Sequence, residues 1–259
     1  MQKEVQCIEH GPLRFLSNHQ TLMQVAANLR RSLPEDLPPL PETDIWVGAH
    51  RFGRTTRTPG RKLIVLQTEQ VKYLHGHKIN RKLRLSKLLR IMLHADLVVD
   101  WSPAQRSVYG LLPRLMPRRF LFGPYVFPTI CPPRSGGEGI MSHGAIDERR
   151  ARIVARHPEI ELRHNVSHSE AMKEIAGAAA VANLHRLEGV YTEVPRMLMA
   201  LQSGKPVVSE PLAPPFDEAY LPLGATLDPQ TLDAAYASLC DVARAYPIMA
   251  MFDRLGGKA

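Results

Sequence analysis

Glu193 and Arg196 stand three residues apart, where the polar run Tyr-Thr-Glu gives way to the helical pattern VPRMLMALQSG. A carboxylate at a helix start complements the helix dipole, and it can also accept hydrogen bonds from ligand hydroxyls. An arginine there opposes the dipole, so it needs a nearby carboxylate or an anionic ligand, and a guanidinium suits either. Thr192 is expected to cap this helix, with Pro195 tolerated in its first turn. Three further features share the same half of the chain. Ser142-His143-Gly144 precedes a helix expected over 145–157. Its small residues would let backbone N–H groups approach a phosphate, with Arg149 and Arg150 in reinforcement. Asn183-Leu184-His185-Arg186 ends an otherwise apolar strand, an unusual place for polar groups without a partner. Glu210 ends the Val-Val strand that follows Gly204. In the first half, Glu69 and Asp100 end the apolar runs LIVLQTEQ and DLVVDWS, and each is a candidate general base for a hydroxyl.

The elements that position these residues follow from periodicity. The first half reads as strand EVQCIEH, helix NHQTLMQVAANLRRSL, strands DIWVGAH and KLIVLQTEQ, a helix over 78–94, strand ADLVVDWS, a helix opened by Ser102-Pro103, and strand RRFLFGPYVFP. TICPPRSGGEG, residues 129–139, has the composition of a linker. The second half reads as strand GIMSH, helix AIDERRARIVARH, strand EIELRH, helix SHSEAMKEIAGA, strand AAVANLH, helix TEVPRMLMALQSG, strand KPVVSE, a weaker strand near ATLDP, and helix DPQTLDAAYASLCDVARAY. Strands alternating with helices imply βαβ units and parallel sheets. The expectation is an α/β chain with two Rossmann-like lobes, 1–128 and 140–259. Ligands would bind beyond the carboxyl ends of the strands, in a central cleft that both sheets face.

Charge is unevenly placed. The 259-residue chain carries a formal charge of +8, yet residues 51–133 alone hold 16 Lys/Arg against three acids. Arg51, Arg54, Arg57, Lys78, Arg81 and Lys82 are the candidate contacts of this segment for a polyanion, either nucleic acid or an anionic membrane surface. Cys7, Cys131 and Cys240 lie too far apart for a disulfide framework or a zinc knuckle, and the N-terminus lacks a signal-type apolar core. A reduced, cytoplasmic protein is the expectation. No run of about 18 apolar residues exists. Asp-x-Asp, Walker and G-x-S-x-G patterns are missing, which argues against metal-dependent transfer, P-loop hydrolysis and serine-esterase chemistry.

Three blocks together resemble a bacterial and phage family of GT-B glycosyltransferases. They are LIVLQTEQ, LVVDWSPAQRSVYG with the later FGPYVFP, and HGAIDERRARIV…VANLH…TEVPRMLMALQSGKPVVSE, spanning about residues 62–210. The resemblance implies a metal-independent enzyme whose C-terminal lobe holds a nucleotide-sugar donor and whose N-terminal lobe takes a hydroxyl acceptor. It implies donor contacts from Ser142, Gly144, Arg149, His185, Glu193 and Arg196, with Glu69 or Asp100 as base if the anomeric configuration inverts. It implies no cofactor. Many GT-B enzymes carry a second glutamate five residues before the helix-ending glycine, and Met199 stands there instead. The acceptor expected from the charge is a polyanion, with a hydroxymethylated base in DNA foremost, which must be flipped out of the stack. The alternatives are a membrane-surface glycolipid or polysaccharide, and a non-catalytic nucleic-acid-binding protein on the same scaffold.

Overall fold

A computed structural model describes residues 4–49, 58–69, 72–73, 76–79, 91, 94–186 and 188–256. The chain forms two compact units: residues 1–129 with 246–259, and residues 130–245.

The first unit is built on a six-stranded sheet. Its strands are β1 (Gln6–His10), β2 (Leu13–Ser17), β3 (Thr43–Val47), β4 (Lys62–Gln67), β7 (Leu97–Asp100) and β8 (Phe120–Phe122), hydrogen-bonded in the order β1-β2-β3-β4-β7-β8. Only the β1–β2 hairpin is antiparallel; every other pair is parallel. Parallel strands are covered on both faces, so they read as unbroken apolar runs. That is the case for TDIWV and LVVD, which are buried along their whole length. Helix α1 (Gln20–Arg31) packs on β1–β3 through Leu22, Val25, Ala26 and Leu29, the stripe its periodicity predicts.

The sequence reading needs four corrections in this unit. LRFLS, assigned to no element by the sequence, is β2; Leu13, Phe15 and Ser17 alternate inward after the turn at Gly11. Residues 78 and 79, expected to open a helix, instead belong to β6 (Gly76–Ile79), which pairs with β5 (Lys72–Tyr73). The Ser102-Pro103 helix is a 3₁₀ segment, Pro103–Tyr109, followed by the single-turn α2 (Leu112–Leu115). Finally, the second lobe does not run to residue 259. Ile248 N donates to Phe127 O at 2.8 Å, and the extra helix at Ala250–Gly256 contacts β7, so the chain's end belongs to the first unit.

The second unit carries a five-stranded, wholly parallel sheet in the order β10-β9-β11-β12-β13. The strands are β9 (Ile140–His143), β10 (Ile160–Arg163), β11 (Ala180–Asn183), β12 (Val207–Ser209) and β13 (Leu221–Pro222). The last lies a few residues before the ATLDP run expected to form it. Helices α3 (Glu148–Arg156), α4 (His168–Gly177), α5 (Val194–Gln202) and α6 (Pro229–Ala245) alternate with the strands. Ile140, Ile160, Ala182, Leu184, Val208 and Leu232 form a core on this sheet. From β9 the chain steps to one side, to β10, then crosses back to β11 on the other. Strand order therefore reverses between β9 and β11, and that reversal is where open α/β sheets bind ligands.

The segment 129–139 does not behave as a free linker. Lys205, fully buried, donates through Nζ to the carbonyls of Ser135 and Gly136, and Tyr236 Oη donates to Pro132 O at 2.7 Å. Ser135 N donates to Gly204 O at 2.8 Å. Gly204 ends α5 at φ +66°, and a Cβ there would lie 2.4 Å from Pro133 O. Gly204→Ala therefore combines backbone strain with a clash against main chain. It is expected to lower unfolding free energy by about 1–3 kcal/mol in urea titration; a loss well under that would mean the strap gives way freely.

Asp100 generates a second expectation. It is 2% exposed and accepts from Ser102 N at 3.0 Å and from the Tyr109 hydroxyl at 2.7 Å. Burial pushes its carboxyl up to about 7, against the opposing pull of those two donors. The unfolded group ionises near 4. Between those values only the native state holds the proton, so this group's contribution falls as pH rises from about 4 to about 7. Asp100→Asn removes that dependence. Its stability relative to the parent should improve across this window, by on the order of 1 kcal/mol per pH unit, in denaturant melts at several pH values. A difference that stays flat with pH would contradict the assignment.

Candidate functional site

The carboxyl ends of β9, β11 and β12 bring three arginines and two carboxylates together. Helix α5 begins one residue later than expected: Glu193 is its N-cap and Pro195 falls in its first turn. Thr192 does not cap it. Its hydroxyl donates to Ala213 O at 3.1 Å and accepts from Ala213 N at 3.2 Å, pinning the loop after β12. Glu193 is left with its carboxylate pointing back over the strand ends.

Arg196 resolves its conflict with the helix dipole by turning toward those strand ends. Nη1 donates to Asn183 Oδ1 at 2.9 Å and Leu184 O at 3.2 Å, and Nη2 donates to His143 O at 3.0 Å. One guanidinium thus ties β9 to β11 across the reversal, with Glu193 Oε2 3.0 Å away. Arg150, 4% exposed, reaches the same place from α3. Nε and Nη2 donate to Leu184 O at 3.1 and 2.8 Å, Nη1 to Ala145 O at 3.1 Å, and Nη2 lies 3.2 Å from Glu193 Oε1. Burial, and then the neighbouring Arg196 charge, lower its pKa from the usual arginine value. Arg149, the adjacent residue, donates to His185 O at 2.7 Å and forks onto Glu210. The hydrogen bond to Glu210 raises its pKa further. Burial alone would raise the Glu210 carboxyl. The Arg149 fork and the His185 N–H at 2.7 Å outweigh it and hold Glu210 below its usual value.

His185 is fully buried, its ring stacked on Tyr191 at 4.2 Å between centroids. Nδ1 lies 3.1 Å from Gly189 O, and a carbonyl only accepts, so Nδ1 carries the proton. Burial lowers the ring's pKa, which keeps it neutral and makes Nε2 an acceptor. Gly144 lies at φ +153°, and a Cβ there would approach Arg150 Nη1 to 2.9 Å and Arg196 Nη2 to 3.4 Å. Its bareness leaves room above two guanidinium groups.

Other expected site residues take different places. Ser142 is 1% exposed and its hydroxyl donates to Ala182 O at 3.1 Å, so it joins β9 to β11 inside the sheet. Gly144 N donates to Arg163 O at 3.0 Å, and α3 starts at Glu148 with Asp147 capping Arg150 N. A phosphate at this edge would therefore meet side-chain guanidiniums rather than the Ser142–Gly144 amides. Asp100 is closed into the core and holds a turn. Glu69 lies two residues past β4 and is partly buried. Arg51, Arg54, Arg57, Arg81 and Lys82 fall outside the described residues, as does the Lys78 side chain.

Arg150, Tyr191 and Glu210 matter more here than their sequence signals suggested. Arg149-Arg150 at a helix start and a glutamate closing an apolar strand were visible. Tyr191 stacks on His185 from six residues away, a contact that no spacing rule gives.

No model of a known protein family matches the sequence, and no curated protein matches it. Similar solved structures include TarM, at 12% identity and a TM-score of 0.43, covering 82% of this chain and 52% of that one. A TarM variant from S. aureus, solved with fondaparinux, α-GlcNAc-glycerol and UDP, gives 12% identity and a TM-score of 0.45, covering 82% and 53%. A GtfA/B complex bound to UDP and GlcNAc gives 7% identity and a TM-score of 0.33, covering 82% and 56%. The chain spans about half the length of these structures.

Proposed function

We propose that the second unit grips the diphosphate of a nucleotide sugar and that the protein is a GT-B-like glycosyltransferase passing the sugar to a hydroxyl acceptor. The observation that carries this reading is the meeting of Arg149, Arg150 and Arg196 at the strand-order reversal. Three cations face two carboxylates there, and backbone carbonyls fix the guanidinium groups in advance. As the bond from the anomeric carbon to the diphosphate oxygen breaks, negative charge gathers on the leaving group. Fixed cations stabilise that charge without reorganising, which is the economical form of electrostatic catalysis. This assigns charge neutralisation to arginines rather than to a metal. Glu193, with 28% of its side chain exposed, is the carboxylate placed to accept sugar hydroxyls. His185 backs the site through its main chain and ring. Of the two carboxylates that the sequence offered as acceptor base, Asp100 is spent on its turn.

On the acceptor side, the basic segment 51–133 supports a hydroxyl carried by an anionic surface. A hydroxymethylated base in DNA is one form of it and a membrane glycolipid the other. The exposed Leu111 and Leu115 tip the balance toward the second.

A panel of UDP-, GDP- and dTDP-sugars in thermal-shift and transfer assays tests the donor half, because a ligand bound only by the native state raises its stability. Arg149→Lys keeps the charge and loses the fork, and should weaken nucleoside diphosphate binding about ten- to a hundredfold. Glu193→Gln should weaken the nucleotide sugar while sparing the free nucleoside diphosphate. Parental affinity in both variants would remove the site from this edge. Duplex DNA binding without any nucleotide-sugar affinity would replace the enzyme with a nucleic-acid module.

A further inference from the structure

The connection from β7 to β8 is apolar on two sides. Val108, Leu112 and Met116 pack inward, against the cluster of Trp46, Val98, Tyr109 and Phe120. Leu111 and Leu115, one helical turn apart, point the other way and are 65% and 72% exposed. A helix stripe that faces the core needs no explanation, but a second leucine pair in water does. The charged residues of this connection are all cationic. Arg106, Arg114, Arg118 and Arg119 are all exposed, and no acid occurs between residues 101 and 137. Beside Leu115 lies an open depression of ≈ 580 Å³, lined by Leu115, Met116, Pro117, Arg118 and Arg119.

From this we infer that residues 106–119 dock the first unit on a bilayer rich in anionic headgroups, with Leu111 and Leu115 entering the headgroup–acyl boundary. The two halves of the surface ask for one partner. A duplex would satisfy the arginines and offer nothing to the leucines. A neutral apolar protein surface would cover the leucines and offer no anion to Arg114 and Arg118. The membrane interface supplies phosphates and hydrocarbon within about 10 Å of each other, and interfacial segments combine the same two residue classes. The segment spans nothing: it is short, and its inner face is committed to the core. The inference stands independently of the donor-site reading, because the assay below contains no nucleotide.

The 259-residue chain is sedimented with vesicles of phosphatidylglycerol and phosphatidylcholine in equal parts, and with vesicles of phosphatidylcholine alone. Binding to the first and little to the second is expected. Leu111→Ser/Leu115→Ser should weaken vesicle binding at least tenfold. Arg114→Gln/Arg118→Gln should weaken it about 30-fold and flatten its salt dependence. All four positions are exposed, so the variants should melt with the parent, separating lost docking from lost folding. Three results overturn the inference. In the first, the parent ignores anionic vesicles. In the second, the leucine variant binds as the parent does, which moves docking to other basic residues. In the third, duplex DNA is bound through Arg114 and Arg118 while vesicles are not.

Discussion

The second unit depends on how the carboxyl ends of parallel strands dispose of their last carbonyls. His143, the last residue of β9, and Leu184 and His185, just past β11, each present a main-chain oxygen at this edge. Buried carbonyls must be satisfied. Here guanidinium groups do it: Arg196 takes His143 and Leu184, Arg150 takes Leu184, and Arg149 takes His185. A carbonyl accepts a hydrogen bond but does not cancel a charge. The sheet edge is thereby well bonded and still cationic, with Glu193 and Glu210 the carboxylates in direct contact with the three guanidinium groups among the described residues. The arrangement that satisfies these carbonyls is the one on which the proposed anion site would rest.

The two sheets differ in a way that decides where such an edge can arise. In the first unit, strands β2, β3, β4, β7 and β8 follow one another in sequence order, so successive connections advance in one direction across the sheet. No reversal opens a gap between neighbouring strand ends. In the second, β9 feeds β10 on one side and α4 returns the chain to β11 on the other. The ends of β9 and β11 are paired in the sheet, yet the segments that follow them diverge, which leaves space that Arg196 and Arg150 enter. Gly144 keeps that space open, since a side chain there would stand on both guanidiniums.

Much of this was legible in the sequence. Apolar runs bounded by turns located most central strands, and the stripe Leu22, Val25, Ala26, Leu29 located α1. What failed did so for physical reasons. β2 was missed because a five-residue strand beside a helix start is a short signal, and its alternation shows only against the hairpin partner. Residues 129–139 read as a linker because Pro, Gly and Ser look alike whether a segment swings free or is strapped down. The difference lies in Lys205, whose buried ammonium needs those carbonyls. Thr192 looked like an N-cap and Ser142 like a phosphate contact. Each hydroxyl found a backbone carbonyl elsewhere, a competition that composition cannot rank. Arg196 stood out because a cation at a helix start conflicts with the dipole locally, and Glu193, which the dipole favours, lies 3.0 Å from it.

Asp100 shows why a shifted carboxyl is weak evidence for catalysis. Sites of chemistry gather perturbed groups, but so do buried turns. The cause separates the two cases. A base must face its substrate, whereas both Asp100 oxygens already face donors of its own chain, Ser102 N and the Tyr109 hydroxyl. Those donors bracket the 3₁₀ segment Pro103–Tyr109, so the carboxyl fixes both ends of the turn that leaves β7. Tyr109, edge-on to Phe120 and Phe122 at 5.4 and 5.5 Å, then anchors the returning strand. With entry and exit held, the stretch between them is short and cannot fold its outer leucines inward. The exposure of Leu111 and Leu115 is therefore a consequence of how the connection is tied down rather than of slack in it.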